Sequence, residues 1–251
     1  MSGSIAAGGW GLLAGSALLI GALVGYLVRV PAGIVAAVMA FGSGVLLSAV
    51  AFDLIADAHE RGGLVPTTGG ALAGALIYTG ANLALTRRGA RHRKRSGTQQ
   101  PSESEQPGSG TAIALGALLD GIPESIVIGL SLLGGGGVGS ATVAAVFISN
   151  VPEGLSSASG MRRAGRGAGY VLGMWSGITV VSGLAAMVGY GLLGDTSGAL
   201  LAAITALAAG AILAMIADTM IPEAFEDAHM WIGLITVLGF LTAFGLDQLE
   251  A

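Results

Sequence analysis

The chain has 251 residues, of which 53% are hydrophobic and only 10% are charged, and its formal net charge is -4. Charged residues make up about 25% of ordinary soluble domains, so this composition excludes that class. The chain has no cysteine, which excludes disulfides, thiolate metal sites and cysteine redox chemistry.

Apolar runs long enough to cross a hydrocarbon core of about 30 Å recur along the chain. We therefore predict an all-α polytopic membrane protein, with one transmembrane domain over residues 1–251. The eight predicted spans are 6–28, 32–56, 66–86, 111–133, 138–160, 169–192, 198–221 and 230–249. A glycine-rich hairpin at 134–137 is expected between spans 4 and 5.

Glycines four residues apart let membrane helices approach closely. The pairs with this spacing are Gly11 and Gly15, Gly21 and Gly25, Gly169 and Gly173, and Gly173 and Gly177. We expect helix contacts at these pairs; the alternative is that glycine is only generic filler in a membrane protein.

Ten of the 11 lysines and arginines fall in the loops after spans 1, 3 and 5, and only Arg61 falls on the other side. The positive-inside rule then predicts cytoplasmic basic loops, both termini outside, and a multi-pass protein of the cell membrane. Residues 87–110 form the long loop after span 3. It is basic at first and then rich in Ser, Gln, Glu, Pro and Gly, a composition typical of a flexible cytoplasmic tether.

An internal repeat relates spans 2 and 7. Residues 44–58 align with 210–224, so that Gly44 matches Gly210, and Asp53 and Asp218 fall one position apart. The two spans run in opposite directions, which predicts an inverted repeat of spans 1–3 and 6–8 around spans 4 and 5. The alternative is that short segments rich in Gly, Ala and Leu align easily.

Two short segments, 120–125 and 149–154, place a proline and a carboxylate inside long apolar runs. An ionisable side chain deep in a membrane is costly by about 2.5–3.5 kcal/mol on insertion scales, and a proline frees a backbone carbonyl and kinks its helix. Spans 4 and 5 are antiparallel, and both segments lie near mid-span. If the two helices pack together, we therefore expect Asp120, Glu124, Asn150 and Glu153 to converge at one depth.

No lysine or arginine lies within a predicted span, so we expect protons or a bound cation to balance these buried carboxylates. The candidate ligands are oxygen donors of the two segments and of flanking spans 2 and 7: Asp120, Glu124, Ser149, Asn150, Glu153, Asp53 and Asp218. The structural alternative is protonated acids in interhelical hydrogen bonds worth about 0.6 kcal/mol each. Ionisable groups inside membranes are functional by default, which favours a cation or proton pathway.

The chain resembles the ZIP (Zrt/Irt-like) family of divalent metal transporters. The residues that carry the resemblance are 121–124 in span 4, 150–154 in span 5 and 221–224 at the end of span 7. The span count, the outside termini and the long loop after span 3 also fit. The resemblance implies metal transport through a site between spans 4 and 5, with Glu124 and Glu153 as central ligands and Asp53 and Asp218 as auxiliary ones.

The chain departs from that family at several positions. Asp120 stands where a histidine is usual, Gly121 where an asparagine is usual, and the long loop has only His92 where many members are histidine-rich. Oxygen ligands without imidazole suit hard ions such as Mn²⁺, although zinc also binds carboxylates. We therefore predict one metal site with a bias toward harder ions, and a transported metal of the zinc, iron or manganese class.

Several further expectations follow. We predict no enzyme activity, no catalytic residue, no resident cofactor and no nucleic-acid partner. The predicted partners are the divalent metal ion and the lipid bilayer. The sequence does not decide between a monomer and a homodimer. The alternative functions are a proton-coupled carrier of a small solute and a non-transporting membrane sensor or scaffold that has lost the metal site.

Overall fold

The computed structural model of the chain describes residues 2–134, 140–193 and 196–250. Residues 135–139, with most of the predicted hairpin and the start of predicted span 5, lie outside the described ranges. The described residues form eight long helices and no strand, which confirms the all-α class. The helices are α1 Ser2–Leu27, α2 Ala32–Gly62, α3 Leu64–Leu85, α4 Ser109–Ser131, α5 Ser140–Arg163, α6 Ala168–Leu193, α7 198–228 and α8 Ile232–Glu250.

Six of these helices are long and apolar enough to cross a membrane, by length and composition: α1, α2, α4, α6, α7 and α8. The molecule therefore has the character of a helical membrane protein. Helices α3 and α5 are not among the six. Helix α5 carries the polar residues of the predicted site, and α3 contains threonines and Asn82, which lower its mean hydropathy. The count of eight spans stays a prediction.

Large apolar side chains cover the outside of the bundle. On α8, Leu234, Val237 and Leu241 are each at least half exposed, and on α3 Leu72 and Leu76 are more so. Exposed apolar surface of this extent marks contact with a membrane or with another protein. It agrees with the membrane character of the helices.

Helix α1 packs on α5 and α6, α3 on α7, α2 on α8, and α4 on α6. A Cβ atom added at Gly21 or Gly25 of α1 would lie 2.1 Å from a carbonyl oxygen of α5, so the close approach predicted for this pair is confirmed. Gly169, Gly173 and Gly177 have no atom within 4 Å of such a Cβ among the described residues. The prediction is wrong there, because that stripe of α6 faces outward.

Helices α2 and α7 each contain a π-helical segment, at 49–54 and at 216–220. The segments contain Asp53 and Asp218, respectively. When residues 44–58 are aligned with 210–224, the two π-helical segments fall at the same positions within one residue. Single π-helical turns inside α-helices are rare and occur frequently at functional sites.

The long loop after α3 folds back into the bundle. Gly89, at φ 103°, adopts the left-handed conformation that favours glycine, and the chain then turns inward. We call residues 91–100 the inserted segment; its most buried side chains are Arg93, Lys94, Ser96 and Gln100. A tether in solvent was predicted for this stretch. These four polar side chains instead lie in the interior, where Arg93 and Lys94 meet the carboxylates of α4 and α5.

Candidate functional site

The segments 120–125 and 149–154 each contain a proline followed by a glutamate, and we call them the Pro-Glu segments. Their acids meet in the interior of the bundle. Asp120 of α4 and Glu153 of α5 are 1% and 4% exposed. The Nζ atom of Lys94 lies 2.6 Å from Oε1 of Glu153 and 3.3 Å from Oδ2 of Asp120, so one ammonium group bridges the two helices. Both prolines lie inside their helices, as predicted. We call Asp120, Glu124 and Glu153 the carboxylate cluster.

Arg93 fills the other side of Asp120. Its Nη2 and Nε atoms donate to Oδ1 and Oδ2 of Asp120 at 2.9 and 3.0 Å. The Tyr78 hydroxyl donates to Oδ1 of Asp120 at 2.7 Å and accepts from Nη2 of Arg93, while Nη1 of Arg93 donates to Oδ1 of Asn82 at 2.8 Å. Two-point hydrogen bonds between charged groups are stronger than hydrogen bonds between neutral groups.

The source of the positive charge differs from the sequence prediction. Protons or a bound cation were expected to balance the carboxylates, and that expectation is wrong in this conformation: Arg93 and Lys94 of the inserted segment do so. Burial disfavours the charged form of Lys94, but Asp120 and Glu153 outweigh burial and raise its pKa. The pKa of Arg93 is likewise raised by Asp120 against the effect of burial.

Glu124 is the member of the cluster without a hydrogen-bond partner. It is 1% exposed, and neither of its carboxyl oxygens has a partner among the described residues. Glu124 interacts electrostatically with Glu153, Lys94 and Asp120. Three carboxyl groups thus face two cations, and the one left without a direct ion pair is buried where an unsatisfied polar group costs free energy.

Ser149 and Asn150 lie on α5 beside the cluster, and both are buried. The Ser149 hydroxyl donates to the carbonyl of Val146 at 3.0 Å, and the Asn150 amide nitrogen donates to the carbonyl of Ala14 at 3.1 Å. The amide oxygen of Asn150 has no partner among the described residues. Both predicted ligands therefore donate their hydrogen bonds to backbone carbonyls of helices. Their side-chain oxygens can still accept a hydrogen bond or contact a cation.

Asp53 and Asp218 contact different parts of the bundle. Asp53 accepts a hydrogen bond of 3.1 Å from Thr142, in the first turn of α5. Asp218 lines a cavity of about 220 Å³ together with Arg93 and Glu223. This cavity opens beside the inserted segment, and Thr142 is about 20 Å from the segment's contacts at Ser156, at a rise of about 1.5 Å per residue.

The space inside the cluster is nearly filled in this conformation. A cavity of about 10 Å³ remains between Lys94, Glu153 and Trp175, no larger than one water molecule needs. Within the ranges that the structure describes, no three His, Asp or Glu side chains surround one point closely enough to hold a metal ion. Lys94 lies between Asp120 and Glu153, and Arg93 occupies the other side of Asp120.

No protein-family model and no curated protein matches the chain. Function resides in the geometry and chemistry of a site rather than in a fold.

Sequence reasoning missed several residues of the site. Tyr78, Arg93, Lys94 and Glu223 touch or face the cluster, and all are buried. One signal could have found the cations: the spans carry several acids and no base, while six bases lie in the loop that joins spans 3 and 4. Because the loop is joined directly to the spans, this charge imbalance predicts ion pairs between the bases of the loop and the acids of the spans.

Proposed function

We propose that the protein transports a divalent metal cation across a membrane through the carboxylate cluster, by alternating access. The observation that carries the proposal is Glu124, a buried carboxyl group without a hydrogen-bond partner beside two further acids. Such a group is stabilised by a proton or by a bound cation. Ionisable groups inside a membrane protein mark ion pathways by default.

The chemistry of the donors supports a hard cation. The ligands that we propose beside Glu124 are oxygen donors of three buried residues: the Glu153 carboxylate, the Asn150 amide oxygen and the Ser149 hydroxyl. Oxygen donors suit Mn²⁺ and related ions better than they suit zinc, which still binds carboxylates. Iron, manganese and zinc are thus the transported metals to test.

Two further acids support a path through the molecule. Asp53 lies beside Thr142 in the first turn of α5, and Asp218 lies beside the inserted segment, each in a π-helical segment. In the proposed pathway these acids guide ions to and from the cluster. The cavity of about 220 Å³ beside Asp218 and Glu223 forms the vestibule, which we place on the cytoplasmic side with the basic loops.

The helix contacts are consistent with the predicted inverted repeat, which we propose underlies alternating access. The repeat pairs α1 with α6, α2 with α7, α3 with α8, and α4 with α5. Under this pairing, the contact of α1 with α5 corresponds to that of α6 with α4. The contact of α3 with α7 corresponds to that of α8 with α2. The aligned glycines behave alike. A Cβ atom at Gly44 would lie 1.9 Å from the Thr236 carbonyl oxygen of α8, and one at Gly210 would lie 2.0 Å from the Ala71 carbonyl oxygen of α3. Inverted repeats of this kind are typical of secondary transporters.

A second candidate function is a membrane sensor or scaffold that transports nothing. The ion pairs of Arg93 with Asp120 and of Lys94 with Glu153 favour it, because they neutralise two acids of the cluster from within the chain. This candidate predicts that no metal reaches the cluster in any variant.

Cation flux into proteoliposomes tests the proposal. Purified protein should carry Mn²⁺ and Fe²⁺ at least as well as Zn²⁺, and the double change Glu124→Ala, Glu153→Ala should abolish the flux. Glu60→Ala is the matched control, since Glu60 is exposed. Flux that survives the double change contradicts the site, and no flux of any metal favours the sensor or scaffold.

A further inference from the structure

We infer that the inserted segment, residues 91–100, is a tethered cationic plug that competes with a divalent cation for the carboxylate cluster. Arg93 and Lys94 together carry a charge of +2, equal to that of one divalent metal ion. They sit on Asp120 and Glu153, two of the proposed ligands. The inference rests on the proposed function, because it describes the regulation of the same site.

The inserted position is built into the sequence of the helices that receive it. A Cβ atom at Gly116 of α4 would lie 2.5 Å from Cδ of Arg93, and one at Gly160 of α5 would lie 2.2 Å from the Arg95 carbonyl oxygen. Larger residues at these two positions would clash with the segment. The surfaces of α4 and α5 are thus shaped to accept it.

Hydrogen bonds hold the backbone of the segment against α5. The amide nitrogen of Gln100 donates to the carbonyls of Arg93, Arg95 and Ser157, each at 3.1 Å. The Ser156 hydroxyl donates to the carbonyl of Lys94. These bonds satisfy backbone groups that would otherwise be buried without partners, so the segment occupies a defined socket.

The energetics of the ion pairs make withdrawal of the segment feasible. Taking a guanidinium and an ammonium group out of water carries a desolvation penalty that can exceed their attraction to the carboxylates. This penalty reduces the free energy that a metal ion bound at the cluster must supply to displace the segment. Residues 103–105, which follow the segment, are exposed and leave the outer part of the loop in solvent.

A single introduced thiol tests the plug independently of transport. The chain has no cysteine, so Ser157→Cys creates the sole thiol. Ser157 is 3% exposed, lines the small cavity beside Arg93 and Lys94, and its hydroxyl has no hydrogen-bond partner among the described residues. The thiol should react slowly with a small water-soluble maleimide while the segment is inserted.

The test variant adds Arg93→Gln and Lys94→Gln to Ser157→Cys. The thiol should then react at least about tenfold faster, since charged hydrogen bonds that hold the segment are lost. The matched control, Arg87→Gln with Arg88→Gln, removes the same charge from exposed positions of the same loop and should leave the rate unchanged.

A second variant covers the case in which the first fails to fold. Gln100→Ala leaves the carboxylate cluster and both cations in place but removes one hydrogen bond to α5 and two that hold the fold of the segment itself. It should also speed the reaction; Gln99→Ala, at an exposed position, is its control. Equal reaction rates in the parent and in both folded variants overturn the plug, even if the protein transports metal.

Calorimetric titration with Mn²⁺ completes the test. The Arg93→Gln, Lys94→Gln protein should bind Mn²⁺ at least about tenfold more tightly than the unaltered protein, because the competing charges are gone. Unchanged affinity overturns the competition. Faster thiol reaction without Mn²⁺ binding in any variant contradicts the proposed transport function while the withdrawal of the segment stands.

Discussion

The guanidinium group of Arg93 and the carboxylate of Asp120 form a two-point ion pair inside the bundle, with Nη2 2.9 Å from Oδ1 and Nε 3.0 Å from Oδ2. Both side chains are at most 2% exposed. The partners come from parts of the chain that sequence reasoning assigned to different environments, a solvated loop and a membrane span. This pair therefore ties the loop after α3 to the centre of the site.

Asp120→Ala should destabilise the protein by about 3–5 kcal/mol, because it leaves Arg93 buried without its counter-charge. The double change Asp120→Leu, Arg93→Met should recover most of that loss, since an apolar pair carries no desolvation penalty. Denaturant unfolding in detergent micelles measures both. A loss below about 0.5 kcal/mol for Asp120→Ala, in the range of ordinary surface changes, would show that the ion pair is absent in solution.

Glu124→Met should have opposite effects on stability and on metal binding. The unliganded protein should become more stable, because a buried carboxyl group without a partner is replaced by an apolar side chain. The rise in melting temperature on adding Mn²⁺ should disappear, since a ligand stabilises only a state that binds it. A variant that keeps the full Mn²⁺-induced rise would remove Glu124 from the site.

Gly44→Ala and Gly210→Ala should each destabilise the protein by about 1–3 kcal/mol through overpacking, since the new methyl group meets a backbone carbonyl of a neighbouring helix that cannot move aside. Gly173→Ala is the control, because no atom lies within 4 Å of a Cβ there, and it should be neutral or slightly stabilising. Thermal unfolding compares the three. Equal tolerance at all three positions would argue against close helix contacts at Gly44 and Gly210.

His92 should make the protein less stable in mild acid. It lines the vestibule with Arg91, Arg93, Arg95, Asp218 and Glu223. Burial and the charges of Arg95 and Arg91 lower the pKa of His92. The unfolded chain then binds a proton that the folded protein does not, so stability falls as the pH drops through about 6.5.

The change His92→Gln removes this part of the pH dependence. The decrease in melting temperature from about pH 7.5 to about pH 5.5 should be smaller in the variant, while carboxylates that titrate in both proteins cancel in the comparison. An equal decrease in the two proteins would mean that His92 has the same pKa folded and unfolded.

The helices and the meeting of the two Pro-Glu segments were predictable from sequence. Apolar runs define the helices, and Asp120 of α4 and Glu153 of α5 come close enough for Lys94 to contact both. The spacing of glycines was a weaker guide. Gly21 and Gly25 lie at a helix contact, whereas Gly173 faces outward, because spacing alone does not say which side of a helix faces the bundle.

The insertion of residues 91–100 was not predictable from local composition. Polar, basic stretches are normally solvated, and the burial of Arg93 and Lys94 depends on acids that are distant in sequence. Tyr78 was missed for the same reason, since an apolar span with one tyrosine gives no sign of a partner on α4. Tertiary charge pairing outweighs local preference at these positions.

The position of a bound Mn²⁺ ion tests the central claim most directly. Anomalous diffraction should be recorded from crystals grown with Mn²⁺, both of the unaltered protein and of the Arg93→Gln, Lys94→Gln variant. The account predicts an anomalous peak in contact with the carboxylates of Glu124 and Glu153, with Lys94 withdrawn from Glu153 in the unaltered protein. The absence of a peak at the cluster in both proteins, with Arg93 still on Asp120 at saturating Mn²⁺, would contradict it.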